Sequence, residues 1–223
     1  MLLALDTATQ WAGVALYNHD GLLAESNWRA GRGHSTQVLP MVQQLLANLG
    51  AATGDLTGVG VALGPGSWSG LRTGMSLAKG IAIAGDLPIL GISSLDTLAY
   101  PHQRTGRSVV AAIKLGRDRY AVAEYRLRRS WSRVGAERNV SRAELIAGIP
   151  ELALVCGDID PALAAAITAS RSTGVVVPTA ALGARRAGYL AEIAWTRLQA
   201  GERDDLVALE PTYLGNPVRD KPA

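Results

Sequence analysis

The sequence predicts an α/β fold made of two tandem β-β-β-α-β-α lobes with a cleft between them. Three observations carry this reading. Strand-like runs come in threes ahead of a helical stripe in each half, a polar linker from Pro101 to Gly106 parts the halves, and 48% hydrophobic content over 223 residues supplies a sizeable core. The first lobe is expected over 1–100, joined by a returning tail over 204–223; the second, smaller lobe is expected over 101–203.

Residues 2–6, 11–17 and 22–29 are apolar or alternating runs set off by turn signals, Asn18-His19-Asp20-Gly21 the clearest, and read as a three-stranded meander. Residues 35–49 then put Val38, Leu39, Val42, Leu45, Leu46 and Leu49 on a helical stripe, with Pro40 in the first turns where its missing N–H is tolerable. A strand follows at 58–63.

The stretch Leu63–Gly91 organises the first lobe. It reads as a strand end, a turn through Gly64, Pro65 and Gly66, a helix capped by Ser67 or Ser69 and running to about Ala84, and a strand at 88–92. Gly70, Gly74, Leu77, Ala78, Ile81 and Gly85 share one helical face, and Arg72, Ser76 and Lys79 make a narrow polar strip. Each interior glycine costs about 1 kcal/mol relative to alanine, so the Gly70, Gly74, Ala78, Ala82 ridge needs a reason. Either the helix sits close on its own sheet, or another backbone packs on the ridge. A membrane span does not fit, because Arg72 and Lys79 interrupt a segment already short of the roughly 20 apolar residues required. The turn matches neither G-x-G-x-x-G nor the Walker pattern.

After a short capped helix in SSLDTLAY, the second half repeats the order. Strands are expected at 108–113, 119–127 and 131–139, a helix at 141–148, a strand at 152–156, a helix at 161–169, a short strand at 174–177 and a long helix over 180–200.

The net charge of +3 is unevenly spread, since residues 104–142 alone carry +8. Arg126, Arg128, Arg129, Arg133, Arg138 and Arg142 form either a phosphate-facing patch or a solvated hairpin; sparse aromatic interleaving (Tyr120, Tyr125, Trp131) favours the hairpin. The single cysteine, Cys156, lies in the apolar run LALVC and reads as a core residue, which excludes an internal disulfide framework. No basic leader precedes the first strand, so a cytoplasmic location is expected. The absence of phenylalanine carries no functional reading.

Asp6-Thr7-Ala8-Thr9 closes the first strand, where a carboxylate and hydroxyls can meet hydrated Mg²⁺ and phosphate; the alternative is a turn whose Asp and Thr satisfy their own backbone. Gly157-Asp158 follows a strand of the second lobe in a comparable way. Glycine-rich material for an adenosine pocket is missing, because Gly174 and Gly183 stand alone. Asp6, Thr7, Thr9 and Asp158 therefore read as a degenerate nucleotide site.

GPGSWSGLRTGMSLAKGIA and LPILGISSLDTLA resemble the signature of the bacterial TsaB (YeaZ) family. LALDTATQWAGVAL, GHSTQVLPMVQQLL, AAIKLGRDRYAVAEY and PTYLGNP extend the likeness, in order, over nearly the whole chain. The resemblance implies the actin, Hsp70 and sugar-kinase (ASKHA) architecture. It implies a non-catalytic partner of TsaD in forming N6-threonylcarbamoyladenosine at position 37 of tRNAs reading codons that begin with A. An ATPase, TsaE, joins the complex, and tRNA is met through it. No tightly bound cofactor is implied, only weak ATP or ADP with Mg at the interlobe cleft or the complex interface. Under the same implication Val38, Val42, Leu46, Gly70, Arg72, Gly74, Leu77, Ala78 and Ile81 would form half of a helical bundle completed by TsaD or, without it, by a second copy. The alternative is an ATP-dependent small-molecule kinase or ATPase of the same superfamily. A proteolytic role finds no support, since Ser67 and Ser69 have no evident base and Cys156 no activator.

TsaD/Kae1 proteins carry a His-x-x-x-His metal pair, whereas His34 here is followed at the fourth position by Val38. Ser67-Trp68-Ser69 replaces the usual Ser-Phe-Thr, Lys114-Leu115-Gly116-Arg117 replaces an Asp-Ala-Arg-Arg-type run, and Gly215 stands where Arg is common.

Overall fold

The computed structural model describes residues 1–31, 33–116, 118–170 and 174–214. Arg117, Gly215 and the last residues of PTYLGNP lie outside them.

Each half folds into a five-stranded mixed sheet. In the first, β1 (Leu2–Asp6), β2 (Trp11–Asn18) and β3 (Gly21–Arg29) form the antiparallel meander, and β4 (Gly58–Gly64) and β5 (Ile89–Ser93) add parallel on the other side of β1, giving the order β3-β2-β1-β4-β5. The central strand β1 is buried throughout, as its unbroken apolar run requires. Helices α1 (His34–Asn48) and α2 (Trp68–Gly85) cover one face of the sheet. The Ser67 hydroxyl accepts from the Gly70 N–H at 3.4 Å, which settles the choice of cap, and Asp86 ends the helix in the left-handed region.

The second sheet repeats the plan. β6 (Ser108–Gly116), β7 (Arg119–Leu127) and β8 (Trp131–Ser141) form a meander; β9 (Ala153–Gly157) and β10 (Val175–Val176) join parallel beyond β6, so the order is β8-β7-β6-β9-β10. Helices α4 (Arg142–Ala147) and α5 (Pro161–Ser170) pack on one face through Leu145, Leu163 and Ile167. The duplicated strand order is the α/β ASKHA arrangement.

Two helices cross between the halves. α3 (Ser94–Ala99), from the end of the first half, buries Leu95, Leu98 and Ala99 on the second sheet, against Val109, Ala111 and Ala123. α6 (Ala187–Gln199), from the end of the second half, buries Ala187, Leu190, Ala191 and Ala194 on the first sheet, against Leu2, Ala4 and Ala15. By packing, then, α6 belongs to the first lobe and α3 to the second, which moves both out of the simple split at residue 100. The helix expected over 180–200 also begins only at Ala187, because the segment before it reaches down into the cleft between the lobes.

The tail re-enters the first lobe. Asp204 pairs its backbone with Ile89 and accepts from the Gly91 N–H at 2.7 Å, Thr212 donates its N–H to the Leu63 carbonyl at 2.7 Å, and Tyr213 packs at a tilt on Trp68 with centroids 4.2 Å apart.

Candidate functional site

The turn after β1 sits at the base of the interlobe cleft, where its residues diverge. Asp6 accepts the Ala8 N–H at 3.0 Å on one oxygen and the Arg185 guanidinium Nε on the other. A second nitrogen of Arg185 donates to the Thr9 hydroxyl at 3.1 Å, which also accepts the Trp11 N–H. Both partners of the ion pair are nearly inaccessible, with side chains 7% and 4% exposed for Arg185 and Asp6. Thr7 points the other way and donates to the Gly70 carbonyl at 2.8 Å. Asp158 accepts the Lys114 N–H at 2.9 Å from the neighbouring hairpin. By strand order β9 is the counterpart of β4, so Gly157-Asp158 corresponds to Gly64-Pro65, and the hairpin β6–β7 corresponds to β1–β2.

Of the four residues read from the sequence, Thr9 and Asp158 line one cavity of about 390 Å³ with Arg185, Asp6 lies behind that arginine, and Thr7 is turned to α2. The rest of the lining is mainly apolar, including Leu98, Val155, Ile159 and Val177. A magnesium-nucleotide of the kind this fold implies does not fit these residues. The carboxylate that would face the cation is already neutralised by a buried guanidinium, and among the described residues no glycine-rich cradle faces it. Among the described residues no group of three His, Cys, Asp or Glu side chains is placed to hold a metal. Cys156, at the floor of the same cleft, is buried, and burial pushes its thiol up to about 12.

The glycine ridge of α2 is explained by the same turn. A Cβ at Gly70 would collide with the Thr7 carbonyl oxygen and one at Gly74 with the Thr7 hydroxyl, while Gly66 lies against the Ala8 carbonyl. Ala78, Val38, Val42 and Leu46 are core residues of the first lobe, and Leu77 and Ile81 pack on its edge. Most of the stripe expected to meet a partner is thus covered within the chain, because α1 and α2 use it to sit on their own sheet. What remains exposed is a groove in which Ser35 and Leu39 face Arg72 and Ser76, with His34 and Thr73 deeper in its lining and Ile83 further along α2. His34 is buried, and among the described residues its Nε2 has no hydrogen-bond partner.

Trp68, at the start of α2, is half exposed and carries the Arg72 guanidinium 3.8 Å from its ring centroid. Arg72 also donates to the Tyr213 hydroxyl at 3.3 Å, and Asn139 of β8 donates to the Leu214 carbonyl at 2.6 Å. The tail therefore links the exposed end of the α1/α2 groove to the second sheet. Neither this link nor the Arg185 pair shows in the sequence, since both join residues more than 70 positions apart; an arginine doublet, Arg185-Arg186, ahead of an amphipathic helix was the one available sign.

A model of the family described as tRNA N6-adenosine threonylcarbamoyltransferase, TsaD, matches residues 28–153, more than half of the chain. The chain belongs to this family. It is 37% identical over 126 residues to the tRNA threonylcarbamoyladenosine biosynthesis protein TsaB of Escherichia coli, covering 56% of this chain and 54% of that protein. It is 42% identical over 98 residues to the protein of the same name in Bacillus subtilis, covering 44% and 43%. In these alignments the chain spans about half the length of the curated relatives it matches. The solved structure of YeaZ from Pseudomonas aeruginosa superposes with a TM-score of 0.76 at 24% identity over 95% of this chain and 99% of that one, which shows the shared fold. Family and fold both agree with the resemblance read from the motifs.

Proposed function

We propose that this chain is the non-catalytic scaffold subunit of the complex that forms N6-threonylcarbamoyladenosine at position 37 of tRNAs reading codons that begin with A. The observation that carries the non-catalytic part is the buried Asp6–Arg185 pair. It spends the carboxylate of the turn after β1, the one that a phosphotransferase of this fold would give to its cation. The family match and the relatives named TsaB support the pathway.

In this reading TsaD joins the chain through the groove between α1 and α2, with Leu39, Arg72 and Ser76 on the contact surface and a second copy taking TsaD's place when the chain is alone. TsaE enters the larger complex, and tRNA is met through that complex. The location is cytoplasmic; no helix among the described residues is long and apolar enough to cross a membrane. Weak ATP or ADP binding belongs at a complex interface rather than at Asp6.

The test mixes the purified chain with TsaD of the same organism and follows co-elution and threonylcarbamoyl transfer to tRNA with the synthase and TsaE present. The expected result is co-elution, with transfer that depends on a chain inert by itself, and loss of both with Leu39→Glu plus Ser76→Arg, two exposed groove positions. Robust ATP hydrolysis by the chain alone would instead favour the kinase or ATPase reading.

A further inference from the structure

The second lobe carries a surface that neither the fold nor the cleft uses. β7 and β8 form the outer hairpin of the second sheet, and β8 is its edge. Directly opposed residues of an antiparallel pair share a face, so the registers Val122↔Arg138, Glu124↔Val134 and Arg126↔Ser132 put Arg126 and Arg138 on the face that carries Val122. α4 and α5 cover that face only at its inner end, through Val122, Val140 and Leu145. Beyond them Ser132, Val134 and Arg138 are exposed, and Arg128 and Arg129 stand at the tip.

The charges on this hairpin are not spent on one another. Arg126 pairs with Glu124, and Arg133 on the opposite face pairs with Glu137. Arg128, Arg129 and Arg138 have no carboxylate partner among the described residues. Gly135, at a positive φ of 76°, opens the bulge that shifts the register between Val122 and Glu124, and the Glu137 carboxylate there accepts from the Ser93 hydroxyl and the Arg133 guanidinium rather than from Arg138. The fold thus turns one acid away and leaves three guanidinium groups facing water.

We propose that the outer face of the β7–β8 hairpin, through Arg128, Arg129 and Arg138, binds the phosphate backbone of RNA. Arginine outnumbers lysine throughout the chain, 19 to 3, so what marks this surface is its density of charge, +8 over residues 104–142, and its unpaired guanidinium groups, each a planar donor that matches phosphate oxygens two at a time. The inference rests on the reading above in taking tRNA as the RNA present; the sparse aromatic content fits backbone contact without base stacking.

The experiment measures the anisotropy of a fluorescent tRNA transcript titrated with the full chain, and then with its TsaD complex, over a range of salt. Arg128→Glu, Arg129→Glu and Arg138→Glu together should lower the affinity about tenfold or more at low salt and flatten the slope of log K against log salt by about two to three. The control Arg203→Glu, exposed on the first lobe, should change little. Unchanged affinity and slope in the triple variant overturn the proposal, as does an equal effect from the control. Co-elution with TsaD is followed in parallel. If the triple variant loses that co-elution while the chain's own tRNA affinity holds, the surface meets an acidic protein and the proposal fails. If wild-type chain never binds TsaD, the scaffold reading fails and the RNA titration still decides this one.

Discussion

Arg185 closes on Asp6 across the cleft, from the segment that precedes α6 to the turn that follows β1. The pair holds two halves of the chain together, since it joins positions 179 residues apart, and it converts a cation-facing carboxylate into a structural one. The Ala8 N–H occupies the second Asp6 oxygen and the Thr9 hydroxyl accepts from a second Arg185 nitrogen, and added hydrogen bonds of this kind are what make a buried ion pair tolerable.

Removing one partner should leave the other charge buried and alone. Asp6→Ala or Arg185→Ala is expected to lose about 3–5 kcal/mol in urea unfolding, and the double variant Asp6→Leu/Arg185→Met to lose clearly less than the two single losses combined. Single variants within about 1 kcal/mol of the parent chain would show that the pair is not buried as described.

The glycines of α2 fall into two classes that stability separates. Gly70→Ala drives a methyl onto the Thr7 carbonyl and should cost about 1–3 kcal/mol. Gly80→Ala meets nothing within 4 Å in the exposed middle of the same helix and should raise stability by about 1 kcal/mol. Gly74→Leu with Ala78→Leu should therefore unfold the first lobe before any partner is added. A folded double variant with normal thermal unfolding would contradict the packing of this helix on Thr7.

Alkaline pH should unfold the protein through groups whose protonated forms are buried. The Cys156 thiol rises from 9.0 to about 12 by burial, and the Tyr125 phenol rises above 10.0 by burial and by the Asp96 carboxylate, to which it donates at 2.6 Å. Both groups bind protons more tightly when folded, so their stabilisation is intact below pH 9 and is lost as pH rises from about 9 toward 12, by an amount on the order of a few kcal/mol. Urea titrations at stepped pH, with alkylation of Cys156 as a second readout, test this. Rapid alkylation of the folded chain near neutral pH would contradict it.

The tail should report on α2. Tyr213→Ala removes a ring 4.2 Å from Trp68 and a hydrogen bond from Arg72, and should cost about 1 kcal/mol while shifting the emission of Trp68, isolated as the difference from a Trp68→Phe chain, to longer wavelength. An unchanged difference spectrum would mean that the tail does not rest there in solution.

The element order was legible in the sequence, although the helix expected over 180–200 begins only at Ala187. The meander strands, the Ser67 cap and the strand at 89–93 depend on local periodicity and on side chains a few positions apart, and those forces act before any tertiary contact forms. The duplicated architecture followed from the repeated order. The candidate site was legible only in part: Thr9 and Asp158 do line the cleft, yet nothing local marked Asp6 as already paired or Thr7 as turned to Gly70.

By itself, the sequence determined which segments are strands and helices, which faces are apolar, and that two similar lobes exist. The tertiary structure alone decided what each apolar face covers. A helical stripe states that burial is favourable, since removing apolar area from water stabilises any partner surface of the right shape, and it does not say which sheet supplies that surface. That is why α3 and α6 exchange lobes, why the ridge of Gly70 and Gly74 meets Thr7 rather than another molecule, and why Arg185, distant in the chain, could take the place of a cation at Asp6.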